Sequence, residues 1–409
     1  MLWPAALLWA GARESRGDEW SQRTGTMPPL APGGIWVHAA SVGEVAGVAP
    51  LVRALADVAG VVLTVVTPTG RESALRSVKE HADVLFAPLD LAPAVRKTLA
   101  SLKPRLLILT ETELWPNTII QAAAAGVPVG VVNGRMSARS LRRYRMPGSP
   151  LAGLGESLSF VAARSSEDAG RFEALGVARG RIRVTGDLKY DKLERPLEQS
   201  ERRALSASLG LPESAPVVVF GSVRPKEEPQ VAHAAARLLG SFPELHVLAA
   251  PRHMDRVAEL FKALREAGAR PVVLVSEEEE RRGNARAHVL DSTGTLAKAY
   301  SVGSVAFVGG TLAPYGGHDP LEPAAQGVPV VMGPHTESCR EAAAALLAGG
   351  AARIVENGEG LARAVAGLLE DEVALARAGK AALDVVDAGR GAVDRTLDFL
   401  RSVGVLDGD

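Results

Sequence analysis

The sequence has a single cysteine, Cys339, among 409 residues. That excludes an intrachain disulfide framework and any zinc or iron–sulfur site built on several thiolates. Aromatic residues are scarce, at 4%, which argues against stacking platforms for single-stranded nucleic acid. Long hydrophobic runs are also missing. The apolar start, Met1 to Ala12, covers about half of the roughly 20 residues needed to span a bilayer. Pro4 interrupts it, and it lacks the basic start of a secretory signal. It reads as either a packing helix or a remnant membrane contact. Neither sign of charge dominates: 46 Lys and Arg stand against 47 Asp and Glu, a formal net charge of -1. No bulk polyanionic partner is implied.

What is present is a soluble globular composition, 47% apolar and 23% charged, on a chain long enough for two domains of roughly 200 residues. The near-zero charge hides an asymmetry. Residues 1–190 carry 22 basic against 16 acidic side chains, and the remainder 24 against 31. A basic first half and an acidic second half suit domains that meet different partners. From Gly34 onward, short apolar runs alternate with longer amphipathic ones. Ile35–Ala39, Val61–Val66, Leu106–Leu109, Val127–Val132, Phe160–Ala163 and Ile182–Val184 read as strands, with helices between several of them. The rhythm restarts at Val217–Phe220 and continues through Leu245–Ala249, Val272–Val275, His288–Leu290, Val305–Val308 and Val328–Met332. Continuous Val/Ile/Leu strands separated by helices are what a parallel sheet covered on both faces requires. The pattern predicts an α/β fold of two doubly wound domains, 1–190 and 215–409, facing a central cleft. The charged segment 191–214 is the expected connection. The charge run Glu277–Arg282 reads as a solvated loop or helix face.

Ligands bind such sheets at the carboxyl ends of the strands, and the informative motifs all sit there. His38-Ala39-Ala40-Ser41-Val42-Gly43-Glu44 follows the first strand and puts Glu44 at a helix opening. There it is either a first-turn cap favoured by the dipole or a base able to take a proton from a substrate hydroxyl. Thr110-Glu111-Thr112-Glu113-Leu114-Trp115-Pro116-Asn117 sets two carboxylates one residue apart. Either both cap the helix that Pro116 begins, or one caps and the other faces a site. Five arginines lie between Arg135 and Arg145. Arg forks suit phosphate or carboxylate; without interleaved aromatics, a phosphorylated small molecule or lipid headgroup fits better than nucleic acid. A solvated helix face is the plainer reading. Lys189, in Val184-Thr185-Gly186-Asp187-Leu188-Lys189-Tyr190, and Arg252, in Ala250-Pro251-Arg252-His253, each follow a strand. Phe307-Val308-Gly309-Gly310-Thr311-Leu312 and Gly316-Gly317-His318-Asp319-Pro320-Leu321-Glu322 bracket a loop with glycine pairs. The helix expected at Pro320 would offer free N–H groups to a phosphate, with Glu322 placed for ribose hydroxyls. There is neither GxGxxG nor a Walker lysine, so a nucleotide-sugar site fits best. His318 and His335 come without the paired ligands of a metal site.

In order along the chain, HAASVGEV, TPTG, ETELWPN, the SAR of NGRMSARS, VTGDLKYD, PRH and FVGGTL…GGHDPLEPAA…PVVMGPHT resemble the 3-deoxy-D-manno-octulosonic acid (Kdo) transferases of lipid A biosynthesis. The match runs from about Ile35 to Thr336. The resemblance implies a GT-B glycosyltransferase that needs no metal. Its N-terminal domain would bind a lipid A precursor and its C-terminal domain CMP-Kdo, and Kdo would be transferred with inversion. It implies Glu44 as general base, with Glu111 and Lys189 assisting the transition state. The donor contacts implied are Pro251, Arg252, Thr293, Gly294, Thr295, Asp319, Pro320, Leu321 and Glu322. The Gly309–Gly310 backbone is expected to stabilise the leaving nucleotide. It also implies the cytoplasmic face of a bacterial inner membrane, where the arginines would meet lipid phosphates or anionic headgroups. Three departures stand out. Thr293-Gly294-Thr295 replaces a Met/Ile-Gly-Glu. Ser222-Val223-Arg224-Pro225-Lys226-Glu227-Glu228 replaces Ser-Thr-His-x-Gly-Glu-Glu. Asp319 replaces the usual Asn before Pro-Leu-Glu. A UDP-sugar GT-B enzyme and a silent nucleotide-sugar binding protein are the competing readings.

Overall fold

A computed structural model describes residues 17–146, 149, 153–277 and 283–406. Met1–Ala12, and all of Glu277–Arg282 except Glu277, lie outside the described residues. The chain divides into two compact units, Met1–Lys192 with Gly389–Asp409, and Leu193–Ala388.

In the first unit the strands are β1 (Ile35–His38), β2 (Val61–Val65), β3 (Asp83–Phe86), β4 (Leu106–Thr110), β5 (Val129–Gly134), β6 (Phe160–Ala163) and β7 (Ile182–Val184). They form one sheet in the order β3-β2-β1-β4-β5-β6-β7, every neighbouring pair parallel. β1, β2, β4 and β5 are buried at every position, which is why they read as unbroken apolar runs rather than alternating ones. Alternate side chains feed two cores: Ile35 and Val37 join one, Trp36 the other. Two helices that follow strands have their N-termini fixed by side-chain caps. Ser41 accepts from the Glu44 N–H at the head of Val42–Ala56, and Thr67 from the Gly70 N–H at the head of Pro68–Val78. Such caps contribute about 1 kcal/mol each.

The second unit repeats the design with β8 (Val217–Val223), β9 (His246–Pro251), β10 (Val272–Leu274), β11 (Ala287–Val289), β12 (Val305–Val308), β13 (Val330–Met332) and β14 (Ala352–Ile354). Their order is β10-β11-β9-β8-β12-β13-β14, again all parallel. Each sheet has a topological switch point, between β1 and β4 in the first and between β8 and β12 in the second. The crevice outside the carboxyl ends of those strands is where ligands bind in open α/β sheets.

Two strands escaped the apolar-run reading. β3 and β14 are edge strands with only three residues of strong strand character or fewer, and β14 is half exposed. The expected domain limits also need correction at both ends of the second unit. The segment 191–214, expected as the connection, carries the helix Gln199–Ser208 and from Leu193 onward belongs to the second unit. The last helix, Ala392–Ser402, belongs to the first unit, not the second. Asp191 accepts from the Gly391 N–H at 2.6 Å and the Val393 N–H at 2.7 Å. Phe399 stacks edge-on against Phe160 with centroids 6.4 Å apart. Burying one such ring is worth about 1.5–3 kcal/mol, and Ala392, Leu397 and Leu400 are buried on the same helix.

Candidate active site

In the first unit the strand ends gather a charged cluster. Glu44 lies in the first turn of its helix, half-buried, and its carboxylate is held from three sides. Oε2 accepts from the Ala40 N–H at 2.9 Å and from the Thr110 hydroxyl at 3.0 Å, and Oε1 from the Ser41 hydroxyl at 2.8 Å. Ala40 and Ser41 follow β1 and Thr110 ends β4, so the carboxylate bridges the switch point. Burial raises its pKa and Glu113 adds to the rise, while the bonds from Ala40, Ser41 and Thr110 oppose it. The capping role and the role in a site are thus compatible in one residue. The dipole's pull toward a weak base is offset by desolvation.

Glu111 and Glu113 follow β4. The expectation that at least one of them caps the next helix is not met. The helix Pro116–Ala124 has Trp115 at its N-cap position with no side-chain cap. Asp90 instead reaches over from after β3 and accepts from the Asn117 N–H at 3.2 Å and the Thr118 N–H at 2.7 Å. With capping supplied from elsewhere, both glutamates are left to the site. Glu111 sits at φ 51°, a left-handed conformation that costs a non-glycine residue about 1 kcal/mol or more and collects at functional positions. Its pKa is raised by burial and by Glu44, with Arg164 and Arg135 pulling it back and Asp187 adding to the rise. Glu113 is raised mainly by burial, and the Trp115 indole N–H donates to it at 2.6 Å.

Lys189 reaches this cluster through Asp187, whose Oδ2 lies 3.6 Å from the Lys189 ammonium and 2.8 Å from Arg164. Of the five arginines from Arg135 to Arg145, all are exposed. Arg135 acts on Glu111, and Arg143 lies over the Tyr144 ring at 5.3 Å. A cavity of about 390 Å³ opens beside Glu44, lined among others by Thr67, Glu113, Leu114, Trp115 and Tyr144. It offers apolar and aromatic walls with two carboxylates on its rim.

The second unit brings a different chemistry to its switch point. Arg224 follows β8, Arg252 and His253 follow β9, and His318 follows β12. The Arg224 guanidinium lies 2.7 Å from His253 Nε2 and stacks on the Tyr315 ring at 4.3 Å. Burial, then Arg252, Arg224 and His253, hold the His318 pKa down at about 4. His318 Nε2 is buried without a hydrogen-bond partner. Thr293, Gly294 and Thr295 lie beyond the end of β11, with Gly294 at φ 83°.

Two expectations about this loop need correction. The helix after Pro320 is a single turn, Leu321–Ala324, and Asp319 Oδ1 already accepts from the Leu321 N–H at 3.1 Å. It is too short to present a strong dipole. The N–H groups of the glycine pair are engaged as well: Gly309 donates to Gly221 O at 2.8 Å and Gly310 to Glu227 Oε2 at 2.7 Å. Their lack of a side chain serves packing, since a Cβ on Gly309 would collide with Ser222 O. The positive charge of the site therefore comes from side chains. Sequence reading gave no role to three residues that matter in the two clusters: Thr110, inside a segment quoted for its glutamates, and Arg224 and Glu227, whose shared segment was noted only for its departures.

Among the described residues, no helix is long and apolar enough to cross a membrane, and no group of three His, Cys, Asp or Glu is placed to hold a metal ion.

Comparison with known proteins supplies the assignment. A family model described as 3-deoxy-D-manno-octulosonic-acid transferase (kdotransferase) matches residues 18–192. A 3-deoxy-D-manno-octulosonic acid transferase of Haemophilus influenzae is 33% identical over 92% of this chain and 88% of its own length. The chain belongs to the Kdo transferase family. A Bordetella pertussis enzyme of the same description is 32% identical over 98% of this chain and 96% of its own. In structure, a glycosyltransferase from Rickettsia africae covers 91% of this chain and 99% of its own with a TM-score of 0.59 at 11% identity. At that identity the likeness concerns the fold alone, which is GT-B. The protein is thus a Kdo transferase with a GT-B fold, with an acidic cluster at the strand ends of one unit and a cationic one at those of the other.

Proposed function

We propose that the protein transfers Kdo from CMP-Kdo to the 6′-hydroxyl of a lipid A precursor, with inversion, at the cytoplasmic face of a bacterial inner membrane. Glu44 takes the proton of the acceptor hydroxyl as that oxygen attacks C2 of Kdo. The bond from C2 to the CMP oxygen breaks, and its electron pair leaves with the nucleotide. Glu111 and Lys189 flank the reacting centre. Pro251, Arg252, Thr293, Gly294, Thr295 and the Asp319–Glu322 turn carry the donor, and Arg252 faces its negative charge.

The observation that carries this reading is the environment of Glu44. A general base works best when its pKa lies near the working pH. Here burial and Glu113 push the carboxylate upward while three donors fix its direction. The adjoining cavity of about 390 Å³ is of a size for a sugar ring. The exposed arginines from Arg135 to Arg145 suit a phosphorylated lipid or an anionic leaflet.

The test is mass spectrometry of the product made by purified protein from CMP-Kdo and a tetraacylated lipid A precursor. Addition of Kdo by the parent, and its loss in Glu44→Gln with CMP-Kdo binding retained, is the expected result. Near-parental turnover by Glu44→Gln removes the base assignment. Transfer from a UDP-sugar in preference to CMP-Kdo removes the donor.

A further inference from the structure

Glu227 is fully buried, at 0% exposure, and none of the ion pairs among the described residues involves it. Its carboxylate is instead surrounded by backbone N–H groups. Oε2 accepts from Arg224 at 2.8 Å and Gly310 at 2.7 Å, and Oε1 from Leu312 at 2.8 Å and Ala313 at 3.3 Å. Burying a charge is costly unless hydrogen bonds replace its hydration, so an arrangement of this kind persists only when it holds something in place.

What it holds are the two loops that flank the switch point between β8 and β12. On the β8 side it grips the backbone of Arg224 itself. On the β12 side it grips Gly310, whose carbonyl accepts from the Gly317 N–H at 2.8 Å. The neighbouring His318 N–H donates to Gly309 O at 3.1 Å. One carboxylate therefore sets the origin of the Arg224 side chain and, one hydrogen bond further on, that of His318. Those side chains converge with Arg252 and His253. No carboxylate lies within ion-pair distance of Arg224 or Arg252 among the described residues, and His318 Nε2 has no partner. Concentrated positive charge without a protein anion awaits an external one.

We propose that Glu227 is the positioning residue of an anion subsite in which Arg224 and His318 meet one negatively charged group of the donor. It acts through the two loops and touches no substrate. The proposal rests on the donor reading above and concerns the phosphate or the sugar-acid carboxylate, the two anions such a donor carries.

The experiment measures binding of CMP, of CMP-Kdo and of UDP to the full-length protein by calorimetry, with donor KM and kcat alongside. In Glu227→Gln an amide NH2 meets two N–H donors in place of a carboxylate oxygen. Affinity should fall roughly tenfold or more for CMP and CMP-Kdo alike if the anion is the phosphate, or for CMP-Kdo alone if it is the carboxylate; in either case the donor KM should rise in step, and kcat and acceptor KM should stay within about threefold. Glu227→Asp, which keeps the charge, should recover part of the loss. If Glu227→Gln does not fold, Arg224→Gln and His318→Gln decide, because they leave the buried carboxylate intact. Each must weaken CMP binding roughly tenfold if the anion is the phosphate, or CMP-Kdo but not CMP if it is the carboxylate. Unchanged binding of both ligands by folded Glu227→Gln, or by both substitutes, overturns the proposal. A parent protein that binds UDP and not CMP would instead overturn the donor reading.

Discussion

The Thr110 hydroxyl, at the end of β4, lies 3.0 Å from Glu44 Oε2 and 2.9 Å from His38 O. One side chain thus ties the last residue of β1 and the carboxylate beyond it to the strand on the other side of the switch point. Thr110→Val keeps the shape and removes the donor. Because this bond lowers the Glu44 pKa, its loss should raise that pKa further. If Glu44 is the base proposed above, the acidic limb of the kcat/KM profile should then move to higher pH, since a base must be ionised to act. Plateau activity should fall roughly tenfold, as expected for one hydrogen bond to a charged group. A profile that stays in place would separate Thr110 from the base.

Glu113 acts on Glu44 in the opposite sense, by charge. In Glu113→Gln the repulsion disappears and the acidic limb should move to lower pH. The Trp115 indole can still donate to the amide oxygen, so the cavity wall should hold. Stability gives a second readout. The folded-state pKa of Glu113 lies above its ordinary value of 4.5, so folding disfavours the ionised form. Below that value the parent and the variant should melt alike. As pH rises through it and then through the folded pKa, the parent loses stability that the variant keeps. Thermal melts at pH 4 and pH 8 check the sign.

Much of the first cluster was legible because parallel sheets place sites at strand ends, and strand ends can be read where apolar runs stop. Glu44, Glu111 and Lys189 each follow such a run, at β1, β4 and β7. What could not be read was which groups hold them. Asp90 is 26 residues before Pro116 in sequence, yet it caps that helix, and no local pattern links the two. Glu227 reads as an ordinary acidic helix start; only the fold brings Gly310 and Leu312 to its oxygens. The return of Ala392–Ser402 to the first unit was equally hidden, since an amphipathic helix does not state which core it covers.

That returning helix depends on Asp191, which accepts from the Gly391 and Val393 N–H groups across about 200 residues of sequence. Asp191→Ala leaves the first N–H groups of the helix without a side-chain partner, at a cost of about 1 kcal/mol. The melting temperature of the first unit should fall by roughly 2–4 °C. Hydrogen exchange should quicken first in Ala392–Ser402 and in the Phe160 strand that Phe399 covers. Faster exchange confined to the second unit would place the helix wrongly.

Lys226 adopts φ 73°, left-handed backbone that costs an L side chain about 1–2 kcal/mol. The related segment Ser-Thr-His-x-Gly-Glu-Glu has glycine at this position, where the conformation carries no such cost. Lys226 is exposed and lies between Arg224, which the turn must aim, and Glu227, which the turn must bury. Lys226→Gly relieves the strain, against about 0.5–1 kcal/mol from the greater freedom of glycine in the unfolded chain. The net effect should be a rise of roughly 1–3 °C in the melting temperature of the second unit. Because strain is retained mostly where it serves function, the informative comparison is with CMP affinity. A more stable variant with unchanged affinity makes Lys226 a tolerated replacement for glycine. A more stable variant that binds CMP several-fold more weakly makes the Lys226 ammonium a further positive group facing the donor, beside Arg224 and Arg252. No gain in stability would mean that the turn owes its shape to Glu227 rather than to the preference of residue 226.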